Sequence, residues 1–396
     1  MIVRYEYGQI YYMNSNGVER YSSDSGYGVQ IKDEYTFYPI QEHYQKNVKI
    51  DLMEEVNQLK ILCEEYKRLS EPYADKIDFI IEATLQDKNK VLFCNDKYLS
   101  DYYRLYSLNI TVSSKLSGLR YERGFGSRND IDLLRELHLP VEDLIQSAVL
   151  SKGIKTLRTG YYDVVFDQEA TGLLVHEFIG HIFEADNELI KINDIQSKKL
   201  VCAENISIID NPCVQSAYGS YAFDDEGTTA KETYLIKNGR LNSLLHSNQT
   251  GQKSGVPSTS NARAINYQHK PLVRMSNTYM KPSDQNTVHQ LIQSVENGIY
   301  IKGTGDSSSG KTPIMNFREM FIIEDGKIGK MIANMQITGN MFSLLRKIDG
   351  VANDFALYGG GNGGCYKLQQ GPMDVSSGGP HIRLRGVLLL PIVRIL

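Results

Sequence analysis

The 396-residue chain has no apolar run long enough to span a membrane, which takes about 20 consecutive apolar residues in a helix. Its first residues, Met1-Ile2-Val3-Arg4-Tyr5-Glu6-Tyr7, lack the apolar core of a signal peptide. Cysteine is scarce: Cys63, Cys94, Cys202, Cys213 and Cys365 are odd in number and show no paired zinc-ribbon spacing. That argues against a disulfide framework and fits a reducing compartment. Neither sign of charge is in excess. There are 43 Lys and Arg against 47 Asp and Glu, interspersed, for a net charge of −4, which gives no support for general nucleic-acid binding. There is no internal repeat and no Gly-x-Ser-x-Gly nucleophile elbow. These absences predict a cytoplasmic protein of about two or three domains, able to bury a sizeable core, with no membrane or nucleic-acid partner.

Against this background one stretch stands out: His176-Glu177-Phe178-Ile179-Gly180-His181. Two imidazoles suit zinc, and a carboxylate beside the first of them can take a proton from a metal-activated water. The preceding run from Ala170 to Val175 is largely apolar and reads as a buried helix. The spacing is unusual. Histidines four apart lie nearly in line on a helix, but these are five apart, which is roughly 140° of rotation at about 100° per residue. The helix must bulge, unwind or end between them if both bind one metal, and Gly180 is the expected place. The alternative is one core and one surface histidine. A zinc site also needs a third protein ligand. Cys365 follows the glycine run at 359–364, which frees the backbone to deliver a side chain, although spacing alone favours an ordinary loop thiol. Glu184, three residues past His181, either faces the same site or ends a solvated helix. Asp224-Asp225-Glu226 could bind a cation or a peptide amine, but reads more simply as a solvated turn.

Residues 5–38 read as strands with a turn at Asn16-Gly17, followed by a helix with Leu52, Val56, Leu59, Cys63, Tyr66 and Leu69 at helical spacing. Strands are expected at 77–84, 90–94, 105–114 and 117–123, then a helical stretch over 130–151 broken at Pro140. A strand at 161–167 leads into the metal-site helix. Beyond it strands dominate, with hairpins at Asn238-Gly239 and Asp325-Gly326 and short helices at 286–297 and 340–348. The polar stretch 247–271 is either a lid or binding segment, or disordered. The apolar tail from Val387 to Val393 reads as a buried terminal strand. The fold class is therefore α+β, with an N-terminal α/β domain over 1–155 and a β-rich domain over 156–396 that carries the metal-site helix.

Gly305-Asp306-Ser307-Ser308-Ser309-Gly310-Lys311-Thr312 matches the phosphate-binding loop pattern, yet Pro313 and a strand-like stretch follow where that loop requires a helix. The match reads as accidental, and the rival reading as a nucleotide-binding protein is set aside.

Four ordered stretches together resemble the TldD/PmbA family of metalloproteases. They are His176 to Asp186, with the His-Glu-x-x-x-His signature and a trailing acidic pair; Phe223-Asp224-Asp225-Glu226-Gly227-Thr228; Arg274-Met275-Ser276-Asn277-Thr278-Tyr279; and Gly363-Gly364-Cys365-Tyr366-Lys367 with Gln370-Gly371-Pro372. The similarity runs over roughly 160–390 and more weakly over the N-terminal strands. The resemblance implies an N-terminal α/β domain and a β-rich catalytic domain. It also implies Zn2+ held by His176, His181 and Cys365, with Glu177 as general base. It further implies peptide substrates, including leader segments of modified peptides, and a homodimer or a heterodimer with a PmbA/TldE-like subunit. This chain keeps the metal residues and so resembles the metal-bearing TldD-type subunit; a non-catalytic or regulatory peptide-binding subunit is the alternative. It departs from the family in an apparent lack of the first N-terminal helix, in the Cys-Tyr-Lys sequence of the cysteine loop and in the apolar tail after Gly386. Lys311→Ala should leave peptide turnover nearly unchanged, and ATP should not bind. Tight ATP binding that the substitution removes would reinstate the phosphate loop.

Overall fold

The computed structural model describes residues 2–392 apart from 15–16, 32–33, 40–51, 95–96, 152–153, 155–156, 188–189, 191, 304, 306, 310–312, 333 and 362. The chain is α+β. It opens with a six-stranded antiparallel sheet formed by β1 (Ile2–Asn14), β2 (Gly17–Ile31), β3 (Glu34–Pro39), β4 (Ile77–Cys94), β5 (Lys97–Ser114) and β6 (Arg120–Arg128), in the order β3-β2-β1-β4-β5-β6. Of the turn expected at Asn16-Gly17, Asn16 lies outside the described residues and Gly17 begins β2. Two helices cover one face of the sheet. In α1 (Met53–Ser70) the residues Val56, Leu59, Leu62 and Tyr66 are buried, as their helical spacing requires. In α2 (His138–Leu150) Val141, Leu144, Ile145 and Ala148 join the same core.

Two expectations are corrected here. The stretches 77–84 and 90–94 form the single strand β4. Its polar middle is no break, because Lys88 and Lys90 alternate with Leu85 and Asp87 and find carboxylates on distant segments. The helical stretch over 130–151 does not break at Pro140. A short 3-10 turn at Asp132–Glu136 precedes α2, and Pro140 sits in the first turn of α2, where a missing N–H costs nothing.

The remaining strands build two larger sheets. One runs in the order 240–241, 233–237, 208–210, 277–280, 376–379, 356–359. The other places β7 (Gly160–Phe166) between the strands 382–391 and 297–302, and continues outward through 335–338 on one side and 319–324 on the other. The tail is thus an interior strand with Ile382, Leu384, Val387 and Leu389 buried, which explains its apolar composition. The hairpins at Asn238-Gly239 and Asp325-Gly326 occur as expected, with both residues of each turn at positive φ. Short helices lie at Val288–Gln293 and Met341–Leu345. The stretch 247–271 is ordered, not loose, and 263–267 line a pocket. Ser247 caps a helix over Asn248–Ser254, Gly255 closes it in the left-handed region, and Ser258 through Arg263 are buried. Among the described residues no helix is long and apolar enough to cross a membrane.

Between the two larger sheets lies α3 (Gln168–Val175), with every residue from Glu169 to Val175 buried. Its apolar run has no solvent face because a sheet covers each side. Asp167 caps it by accepting from the Ala170 amide at 2.7 Å. At Gly172 the helix approaches the 376–379 strand so closely that a Cβ would lie 2.8 Å from the Gly378 nitrogen. Backbone on both sides cannot yield, so Gly172→Ala should destabilise the protein by about 1–3 kcal/mol. Urea denaturation measures this, and an unchanged midpoint would show that the helix has room to shift.

Candidate metal centre

The helix continues past Val175 as a single π turn over His176–Gly180 and a 3-10 turn over His181–Phe183. In the π turn the His181 amide donates to the His176 carbonyl, five residues back. That wider turn brings positions i and i+5 into line and removes the roughly 140° of offset an α-helix would impose. The expected bulge is present, but Gly180 serves it differently from expectation. Its dihedrals are ordinary right-handed helix, φ −50° and ψ −59°. What requires glycine is space, since a Cβ there would meet the Met275 sulfur at 1.8 Å.

His176, His181 and Cys365 are all buried, and one ligand atom from each lies within 4.8 Å of the others. The imidazole rings stand edge to face with centroids 5.0 Å apart. Cys365 Sγ is 3.4 Å from His181 Nε2. Cys365 begins a small hairpin, 365–367 against 370–373, that follows glycines with positive φ at 360, 361 and 364. Those glycines do more than lend reach, because Gly360 and Gly361 pass against Gly124 and Gly126 of β6 with no room for a Cβ.

Two buried cations hold the cysteine hairpin. Arg274, fully buried, donates to the Cys365 carbonyl at 2.6 Å and to the Gln370 carbonyl at 3.2 Å. It pairs with no carboxylate among the described residues. Lys367 donates to Glu184 Oε2 at 2.8 Å, to Asp186 Oδ1 at 2.6 Å and to the Val273 carbonyl at 3.0 Å. Glu184 is buried, and its Oε2 lies 3.2 Å from His181 Nδ1. The carboxylate therefore fixes one ring nitrogen of His181 and turns the other toward Cys365, the usual arrangement behind a metal-binding imidazole. Burial opposes the charge on Glu184, but His181 and Lys367 outweigh it and hold its pKa down. Burial likewise opposes a Cys365 thiolate, yet the two imidazoles bring the thiol to about 5. Burial works against a charged His181, and the thiolate and Glu184 lift it to about 10. A metal entering this cluster would displace that proton.

Glu177 is half-buried and turns to the side of the cluster, where its Oε1 accepts from Ser307 Oγ at 2.8 Å. His176 and Glu177 both line a cleft of ≈ 400 Å³ that also touches Ser307, Arg318, Tyr358 and Gly364. Ser307 was hidden in the phosphate-loop look-alike. In the structure Ser307–Ser308 pair with the strand Ile314–Phe317, and a second strand, Glu319–Glu324, follows. Among the described residues no helix follows, as the sequence reading expects, but the segment is not idle. Lys311, Thr312, Gly310 and Asp306 lie outside the described residues.

The acidic run is not a solvated turn. Asp224, Asp225 and Glu226 are buried. Asp224 accepts from the amides of Glu226 at 3.0 Å, Thr228 at 2.8 Å and Ala262 at 3.1 Å. Asp225 accepts from the Ala264 amide at 2.7 Å and pairs with Lys90 of β4 at 3.1 Å, and Glu226 accepts from the Asn248 amide at 2.7 Å. Burial pushes Asp224 up to about 7 despite those amides. These carboxylates satisfy backbone donors that would otherwise be orphaned.

An α+β scaffold carrying a buried His-His-Cys cluster, with a carboxylate in the adjoining cleft, is the class of protein this structure defines. Residues 159–389 match the PmbA/TldA metallopeptidase C-terminal domain, and the chain belongs to the PmbA/TldD family. A Methanothermobacter thermautotrophicus metalloprotease is 40% identical over 236 residues, 58% of this chain and 50% of that protein. A zinc metalloprotease TldD homolog of Saccharolobus solfataricus is 34% identical over 237 residues, 58% of this chain and 52% of that one. The matched region thus spans about half the length of these curated relatives. The crystal structure of TldE from Thermococcus kodakarensis has the same fold, with a TM-score of 0.71 at 13% identity over 98% of this chain and 96% of that one.

Arg274→Met should remove the two hydrogen bonds given to the Cys365 and Gln370 carbonyls, costing about 1–3 kcal/mol in all, and loosen the hairpin. In chelator-treated protein Cys365, 1% exposed in the structure, should then be alkylated roughly tenfold faster or more. Circular dichroism would confirm folding. An unchanged alkylation rate in a folded variant would mean that Arg274 does not hold the loop.

Proposed function

We propose that the chain is a zinc-dependent metallopeptidase that cuts extended or unfolded peptides, leader segments of modified peptides among them. The observation that carries this reading is the convergence of His176, His181 and Cys365 within 4.8 Å beside a cleft that Glu177 also lines. The donor set fits the metal: two imidazoles and a thiol held toward its anion are the N and S ligands zinc prefers, and three protein ligands leave a position open. Zinc bound there supplies a Lewis acid that polarises a peptide carbonyl and acidifies water. Glu177 Oε1, held by Ser307, is the base that takes the proton of the attacking water and returns it to the leaving amine. Glu184 and Lys367 orient His181, and Arg274 orients Cys365. We divide the chain at 1–155 and 156–396; in support, the buried core of the first part draws only Met331 from the second, and the other two cores lie wholly in the second. We take the protein to act in the cytoplasm, as a homodimer or paired with a PmbA/TldE-like subunit. A non-catalytic or regulatory peptide-binding subunit would keep the same cluster but show no turnover.

Glu177→Gln should retain zinc and lose peptide hydrolysis by a factor on the order of 100 or more. Cys365→Ser should lose most of its zinc and its activity while its circular dichroism stays native. Cys202→Ser and Cys213→Ser serve as controls that keep both. Metal content and turnover are measured on the same samples. Near-normal hydrolysis in Glu177→Gln would refute the assignment of the base, and full zinc in Cys365→Ser would move the third ligand elsewhere, with Glu184 the next to test.

A further inference from the structure

The cleft at Glu177 has a neighbour. Tyr218, Gly363 and Met373 line both the cleft and a second pocket of ≈ 400 Å³. The floor of this pocket is the face of the N-terminal sheet turned away from α1, where Lys88 stands opposite Tyr103 and Gln86 opposite Leu105. Its roof comes from the segments that carry Tyr221, Arg263 and Asp374.

The cations around it differ in one respect. Lys88 pairs with Asp374 at 3.0 Å, Lys90 with Asp225 at 3.1 Å, and Arg128 with Asp101 at 2.7 Å. Arg263 has no carboxylate partner among the described residues. It is 9% exposed, donates to the carbonyls of Met275 at 2.6 Å and Asp374 at 2.8 Å, and lies 4.8 Å from the Tyr221 ring centroid. Asp224 also lines the pocket, but its oxygens are taken by three backbone amides. Arg274 also rests on carbonyls alone, but Arg263 opens on a pocket, and a carboxylate is the partner its planar fork suits best. The location supplies the rest. Asp374 follows Met373, which is the cross-strand partner of Cys365, so Arg263 is tied to the hairpin that carries Cys365. A peptide lying in the cleft would reach this pocket within a few residues of the bond to be cut.

We propose that this pocket binds a carboxylate of the peptide substrate, an acidic side chain or the C-terminal carboxylate, through Arg263, and so sets a preference for acid beside the cleavage point. The proposal rests on the peptidase reading. Arg263 lies against the Tyr221 ring, and Tyr103, packed on Arg128, also lines the pocket, so aromatic surface is there for the apolar stem of an acidic side chain.

The test reads binding apart from turnover. Zinc-loaded Glu177→Gln protein is titrated, by fluorescence anisotropy, with four labelled peptides of one sequence. They carry Glu or Gln at one internal position and a free or an amidated C-terminus, and the set is repeated with the Glu/Gln position moved along the peptide. The expected result is an acidic peptide bound about tenfold or more tighter than its neutral twin, as a charge-assisted bidentate contact predicts. The Glu/Gln pair and the acid/amide pair distinguish the side chain from the terminus. Adding Arg263→Gln should erase the difference, and Arg263→Lys should retain part of it. Affinities within twofold across every set, or a preference that survives Arg263→Gln undiminished, would overturn the proposal. The peptide comparison needs no change at Arg263 and decides even if that variant does not fold. Hydrolysis of the same peptides by the unsubstituted protein reports separately on the peptidase reading, and cutting without acid preference would retain that reading and remove this pocket from it.

Discussion

One backbone hydrogen bond organises the site: the His181 amide to the His176 carbonyl across the π turn. In a regular α-helix these two imidazoles would point along different directions, and no loop could supply a third ligand to both. A π turn is rarely maintained without support from its surroundings. Here the support is burial: among residues 169–183 only Glu177, at the cleft, is half-buried and the rest are buried, Met275 fills the space that Gly180 leaves, and Gly172 lets the 376–379 strand come into backbone contact. The irregular turn is held by packing that a straight helix would not fit.

Around that turn the chain places cations where few structures tolerate them. Arg274 secures the hairpin of Cys365 by its carbonyls, and Lys367 returns from the same hairpin to Glu184 behind His181. Lys367 ties the segment near residue 365 to the helix that carries the histidines, a separation of 184 residues between His181 and Cys365, and Arg274 ties the same hairpin to the segment that carries Met275. Arg123 of β6 does the same for the first sheet, lying between Glu169 of α3 at 2.8 Å and Glu319 at 2.9 Å, all three buried. Such pairs add little net stability, but removing one partner leaves a buried charge that the fold cannot accommodate. They therefore act on register: the N-terminal sheet, the metal-site helix and the cysteine hairpin fit together in one relative position.

Local features were legible where local physics governs them. The hairpins at Asn238-Gly239 and Asp325-Gly326 follow from residues that accept positive φ, and α1 follows from its apolar stripe. Readings that failed did so for tertiary reasons. The middle of β4 looks like a turn because its lysines are polar, yet they are outward residues of a strand whose acids lie near 225 and 374. Asp224-Asp225-Glu226 looks solvated because nothing nearby in the sequence shows the amides it binds. The polar stretch 247–271 looks loose, although its hydroxyls are spent on caps and buried backbone groups.

The donors and their awkward spacing, the need for a bulge between the two histidines, the turn positions and, through resemblance to a family, the order of four stretches could all be read along the chain. That Cys365 meets the histidines, that Glu177 faces a cleft with Ser307 at its side, and that Glu184, Lys367 and Arg274 stand behind the cluster came from how distant segments pack. The physical reason is range. Turn chemistry and helical periodicity act over a few residues, and their signals are written in adjacent letters. A buried cation finding a carbonyl or a carboxylate a hundred residues away leaves no local trace, because its partner is selected by how sheets and helix pack, not by what stands next to it in the chain.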